Sequence, residues 1–311
     1  MTVLIYLVLV AAALVFVAAS AARAVWYARH PMHLRWELYP VPHEAPARAA
    51  YGGSYFETSE WWRAPGHANR WGEWLFMARE IVFLHALREF NRPLWYRSFP
   101  FHFGLYLLAV AVTGIAGEAA LGVVAGGVPA GVPGSLLRGT CTALGASGLV
   151  LAVGGAASLL VYRRTNPALR TATTPGDLFN LAFFIVALGL VMAGVLAAPP
   201  DAPGVRAVAA GLLRWETTLR VPGPLAAGLV LSALLVAYIP LTHMSHFIGK
   251  YFTYHAVRWN DQPLRGNAKI AAALAESLAY RSRWAAGHVA SGRTASWADV
   301  VAADPTREAK R

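Results

Sequence analysis

Five stretches of the chain are continuously apolar over the length a helix needs to cross a bilayer: residues 3–21, 101–120, 136–161, 177–198 and 224–246. About 20 predominantly apolar residues cover the ~30 Å of hydrocarbon. The runs are continuous rather than alternating, which argues against the lipid-facing strands of a barrel. The pattern predicts an all-α membrane protein, a five-transmembrane-helix bundle. It divides into a first transmembrane helix at 1–21, a polar-rich segment at 22–99, a four-helix membrane domain at 100–246 and a tail at 247–311.

Between the spans the periodicity is weaker. Residues 31–65 are rich in Pro, Gly and aromatics and carry no sustained period. From 71 to 90, Trp71, Trp74, Leu75, Ala78, Val82 and His85 recur at three- and four-residue steps. This predicts an amphipathic helix lying in the membrane interface or docked on a soluble subunit. Residues 122–134 form a tight Gly/Pro connection, and Asp177 is the expected N-cap of span four. Residues 204–221 read as a short amphipathic piece. Pro240 is expected to bend the end of span five, and 271–280 reads helical in the tail.

Composition agrees with the pattern: 57% of residues are hydrophobic and 14% charged. The net charge of +11 could signal nucleic acid or anionic lipid, and its distribution decides. Arg23, Arg29, Arg35, Arg88, Arg92, Arg97, Arg163, Arg164, Arg170, Lys250, Arg258 and Arg265 flank one side of the spans. Arg206, Arg214 and Arg220 flank the other, with Arg138 at a border. The positive-inside rule then places the N-terminus outside and the 22–99 loop, the 162–176 loop and the C-terminus in the cytoplasm. The basic excess is expected to reflect topology and membrane lipid, with no nucleic-acid partner. Span one could instead be a signal sequence, since Ala21-Ala22-Arg23-Ala24 loosely resembles a cleavage site. It lacks a basic start and exceeds the usual 7–15-residue apolar core, so retention is expected. The single Cys141 rules out an intrachain disulfide, a cysteine-held iron–sulfur cluster and covalent haem attachment.

The candidate chemistry lies in two histidines. His102 and His246 sit just inside the ends of spans two and five, and intramembrane ionisable residues default to functional candidates. Spans two and five run antiparallel, so both residues fall at the same depth near the cytoplasmic face. That arrangement suits a haem held edge-on between helices, with one neutral ring nitrogen on each side of the iron. Gly104 and Gly249 would let a flat macrocycle approach the backbone. Arg97 and Lys250 are the cations for its propionates. The competing reading makes both histidines ordinary interfacial residues. His243, three residues before His246, is the alternative ligand. His85 and His255 are candidates for a second inner haem, against a plain reading of His85 as a satisfied histidine buried against a partner. His30, His33, His43, His67 and His288 show no metal-site spacing. Glu118 could relay a quinol proton, although a solvated helix-end carboxylate is the simpler expectation.

The stretch from Ile239 to Pro263, IPLTHMSHFIGKYFTYHAVRWNDQP, resembles the cytochrome b subunits of the respiratory nitrate reductase gamma family. It is most similar to the branch paired with heterodisulfide-reductase-like iron–sulfur subunits in sulfate reducers. Phe101-His102-Phe103-Gly104 resembles that family's first haem histidine, and Gly176-Asp177-Leu178-Phe179-Asn180-Leu181 its fourth-helix opening. The similarity covers residues 100–263. It implies five spans, b-type haem, exchange with quinone and a cytoplasmic iron–sulfur partner, with room for further membrane or periplasmic redox subunits. One departure stands out: the second histidine pair of better-known members falls here on Val112 and Gly228. An outer bis-histidine haem cannot be built from this chain.

The resulting expectation is a membrane cytochrome b subunit of a respiratory complex in a bacterial inner membrane. One haem b near the cytoplasmic face would serve electron transfer between quinone and an iron–sulfur subunit. That subunit would dock on the 71–90 helix and on Lys250–Pro263. A haem-free membrane anchor is the alternative. A proton or ion translocator is disfavoured because no span is expected to carry a buried charge and no pair of broken helices repeats at matching positions.

Overall fold

The computed structural model describes residues 1–29, 46–51, 53, 55–63, 70–127, 131–254, 264, 266–281 and 295–302. Its main helices are α1 (Thr2–Arg29), α2 (Arg70–Phe83), α3 (His85–Phe90), α4 (Arg92–Val124), α5 (Val132–Thr165), α6 (Pro175–Leu196), α7 (Val205–Arg214), α8 (Gly223–Tyr238), α9 (His246–Tyr254) and α10 (Ala268–Ala279). Shorter helical turns connect some of them, and no β-strand forms among the described residues. Five segments are long and apolar enough to cross a membrane: α1, α4, α5, α6 and Gly223–Leu241, which begins with α8. This is the architecture of a multi-pass membrane protein.

The helices overrun the apolar runs because local chemistry, not hydropathy, sets their ends. α4 starts at Arg92 rather than at 101. The Asn91 side chain accepts from the Leu94 N–H at 3.1 Å, and Pro93 occupies the first turn, where its missing N–H costs nothing. With 33 residues α4 is about 50 Å long, so both ends project beyond the hydrocarbon. α6 corrects the expected cap: Thr174, not Asp177, is the N-cap. The Thr174 hydroxyl accepts from the Asp177 N–H at 3.3 Å, and the Asp177 carboxylate accepts from the Thr174 N–H at 2.9 Å. That reciprocal pair is a capping box, with Pro175 at the first helical position.

The expected single helix over 71–90 is two helices. Leu84 adopts a left-handed conformation (φ 50°), which a side chain with a Cβ adopts at a cost. Glu80 offsets that cost by accepting the Ala86 N–H at 2.9 Å, so its carboxylate sits at the positive end of α3.

Two compact units are present, residues 1–19 with 77–244 and residues 20–76 with 245–311. In the first, Phe101, Ala152, Ala156, Leu159, Leu181, Phe184, Ala187, Leu188 and Leu235 form the core of α4, α5, α6 and α8. Small residues bring the backbones together, as lipid-embedded helices require when hydrophobicity alone offers no preference for protein over acyl chain. A Cβ at Gly104 would lie 2.5 Å from the Ala152 nitrogen and 2.8 Å from the Gly148 oxygen. Gly104 therefore serves the contact between α4 and α5, not the approach of a macrocycle. A second cluster of Ile5, Tyr6, Val208, Val221, Leu225 and Ala226 joins α1, α7 and α8, and the Tyr6 hydroxyl donates to the Glu216 carbonyl at 2.9 Å. In the other unit the Tyr27 and Phe252 rings stack with centroids 5.7 Å apart. There the Asn267 side chain caps α10 by accepting from the Ile270 N–H at 3.1 Å.

Candidate functional site

His102 lies ten residues into α4, one turn after Ser98. Its Nδ1 is 2.8 Å from the Ser98 carbonyl oxygen and 3.3 Å from the Ser98 hydroxyl. A carbonyl can only accept, so Nδ1 carries the proton and the ring's lone pair is on Nε2. This is the tautomer and the backbone hold that a metal-ligating imidazole uses, since the bond fixes the ring and raises the basicity of the far nitrogen. The neighbouring Phe101 packs edge-on to His102 at 5.1 Å and to Phe184 at 4.9 Å. The histidine is thereby set on the rim of the first unit's core.

His246 is not the end of span five. α8 stops at Tyr238, and two short 3-10 turns, Ile239–Leu241 and His243–Ser245, intervene before His246 opens α9. Pro240 is the cause: without an N–H it cannot continue the α-helical ladder, and its ring crowds the preceding turn. The expected bend is thus a full break. His102 belongs to the first unit and His246 to the second. Lys250 lies on α9 with His246, and a Cβ at Gly249 would touch the Tyr27 hydroxyl at 3.4 Å.

His243 enters a different cluster. Its Nε2 lies 3.2 Å from the Asn180 amide nitrogen and 3.3 Å from Asp177 Oδ1. Both partners project from the first turns of α6, whose capping box already fixes Asp177 through its other oxygen. With its proton on Nδ1, His243 accepts from Asn180 through Nε2; with a proton on Nε2 it donates to Asp177. Nε2 cannot do both at once, so the ring engages one of the two partners at a time. The Asn180 carbonyl oxygen is buried without a partner among the described residues. Ligation of a metal by this Nε2 would require both contacts to be given up.

Other expected residues fall elsewhere. Arg97 lies over the Tyr162 ring, 4.0 Å from its centroid, and donates to the Pro93 carbonyl. His85 opens α3 with its side chain half exposed, 3.8 Å from Glu89. His255, His30, His33, His43, His67 and His288 lie outside the described residues, as do Arg258, Trp259 and the rest of 255–263. No group of three or more His, Cys, Asp or Glu side chains forms a metal site among the described residues. Gly228 lies with its Cα against the backbone of Leu190 and Val191, where a Cβ would come within 2.5 Å of the Val191 nitrogen. An imidazole at 228 has no room.

Glu118 overturns its simpler reading. It is buried on α4, its side chain 6% exposed, and Oε2 accepts from Arg206 Nε at 2.9 Å. Arg206, on α7, also donates to the Arg138 carbonyl at 2.7 Å. A span does carry a buried charge, contrary to expectation. Nothing adjacent in sequence announces the pair, which is 88 positions apart. The available signal was an arginine between Val205 and Val208 in the first turn of an amphipathic helix. No protein-family model, curated protein or solved structure matches this chain.

Proposed function

We propose that the chain is a membrane cytochrome b subunit carrying one b-type haem, with His102 as one axial ligand and His246 as the other. The observation that supports this reading is the hydrogen bond from His102 Nδ1 to the Ser98 carbonyl, which presents Nε2 as a ligand on a rigid helix. A haem held there supplies reversible one-electron transfer between quinone and an iron–sulfur subunit. The polypeptide's share is to fix the imidazole and to exclude water with the Phe101 and Phe184 rings. Lys250 is assigned to a propionate. Arg97, turned onto Tyr162, is not. The reading further places the protein in a bacterial inner membrane with the C-terminus and an iron–sulfur partner in the cytoplasm.

An absorption spectrum of the purified chain tests it. A reduced alpha-band should be present, lost in His102→Ala and in His246→Ala, and retained in His243→Ala. Loss in His243→Ala with retention in His246→Ala would move the second ligand to His243. A chain purified with no haem would leave the membrane-anchor reading. Two haems per chain would require His85 and His255.

A further inference from the structure

Where α4 and α5 enter the membrane side by side, an open groove of about 360 Å³ is lined by Arg97, Ala157, Ser158, Val161, Tyr162 and Thr165. We propose that this groove binds one anionic phospholipid, with the phosphate on Arg97 and the glycerol ester on Ser158. Arg97 has five N–H donors. Among the described residues it contacts only the Pro93 carbonyl and the Tyr162 ring. It therefore presents a cation with no carboxylate partner at the edge of the hydrocarbon.

The polar groups are graded by depth. Ser158 and Tyr162 are one turn apart on α5, a rise of about 6 Å. Thr165 lies a further turn out, next to Arg163 and Arg164 in the helix's last turn. The Ser158 hydroxyl is exposed and makes no hydrogen bond among the described residues. Facing acyl chains it would have no water to bond, and an unsatisfied hydroxyl in hydrocarbon is costly. A phosphate held at Arg97 brings an ester carbonyl to the depth of Ser158. Val161, 60% exposed, and Ala157 give an acyl chain a smooth wall. Charge complementarity selects the anionic headgroup, because basic pockets between transmembrane helices recruit acidic lipids. The site is independent of haem: Arg97 and His102 are five residues apart, about 140° around α4.

The test uses the full chain in neutral detergent, read by native mass spectrometry and by tryptophan-monitored unfolding. Phosphatidylglycerol, phosphatidylcholine, inorganic phosphate and a water-soluble quinone analogue are added in turn. Phosphatidylglycerol should bind and protect, and phosphatidylcholine, which keeps the phosphate but cancels its charge with choline, should bind about tenfold more weakly. Arg97→Gln should weaken phosphatidylglycerol binding about tenfold, and Ser158→Ala and Arg97→Lys each about threefold. Arg164→Gln, outside the groove, should leave it within about twofold. The proposal is overturned if both Arg97 variants bind like wild type, if inorganic phosphate protects equally, or if the quinone analogue displaces the lipid at equal concentration.

Discussion

Arg206→Ala should be the most damaging single change at the cluster of Glu118, Arg206 and Arg138, and more damaging than removing its partner. The two side chains differ in their access to water: Glu118 is 6% exposed and Arg206 38%. Removing Arg206 strands a carboxylate where water cannot reach it. Such losses cost about 3–5 kcal/mol for fully buried pairs, and the lower end, about 3 kcal/mol, applies where one partner reaches solvent. Glu118→Ala instead leaves a guanidinium that can turn outward and keep its bond to the Arg138 carbonyl. It also removes Oε1, which has no oxygen or nitrogen donor among the described residues, so the cost should fall to about 1 kcal/mol. Making the carboxylate neutral removes most of the penalty, so Arg206→Ala in a Glu118→Gln background should cost about 1 kcal/mol rather than about 3. The wild type and these four variants (Arg206→Ala, Glu118→Ala, Glu118→Gln and the double variant) are compared by denaturant unfolding in micelles with tryptophan fluorescence. Equal costs for the two single alanine variants, or strict additivity of Arg206→Ala with Glu118→Gln, would refute the claim that the carboxylate is buried against the arginine.

Further outcomes follow from the fold. Gly104→Leu should destabilise by at least about 1–3 kcal/mol because its Cβ meets the α5 backbone, whereas Gly117→Ala, with nothing within 4 Å, should be neutral or slightly stabilising in the same unfolding assay. Thr174→Ala should cost about 1 kcal/mol through loss of the capping box, read by the same melt. Topology reporters should place residues 30–90 and the tail beyond 250 on the cytoplasmic side, and a cytoplasmic signal from 204–221 would invert the assignment. Truncation after residue 248 should leave haem bound but release the iron–sulfur partner in a pull-down. Wild-type copurification of that partner would move the docking surface to another segment, with 22–70 the next to test.

The five membrane helices were legible because their signal is one-dimensional: a run of apolar residues as long as the bilayer is thick needs no knowledge of neighbours. Their ends were less so. Asn91 and Thr174 set helix starts by single hydrogen bonds that leave no trace in hydropathy, and α4 gained nine residues before its apolar run in consequence. Pro240 was visible and named as a bend. How far one missing N–H unravels a helix depends on what packs around it, so His246 moved from the end of one helix to the start of the next. Ser98, one turn before His102, was readable in principle, since its carbonyl bond follows from helical spacing alone. The Asp177–Asn180–His243 group was not, because it needs the path of the chain after Pro240.

Glu118 shows what the sequence pattern misses and why that matters for function. A carboxylate in the last turns of an apolar run ordinarily reaches water, and only the return of α7 over the end of the bundle, 88 residues later, buries it. One of the two grounds on which an ion-translocating role was set aside, the absence of any charge within a span, is therefore gone; the other, the lack of a repeated pair of broken helices, does not depend on Glu118. The geometry points to a structural duty instead: Oε2 of the buried Glu118 accepts from Arg206 Nε at 2.9 Å, and Arg206 also donates to the Arg138 carbonyl at 2.7 Å. The pair is a clamp holding α7 to α4.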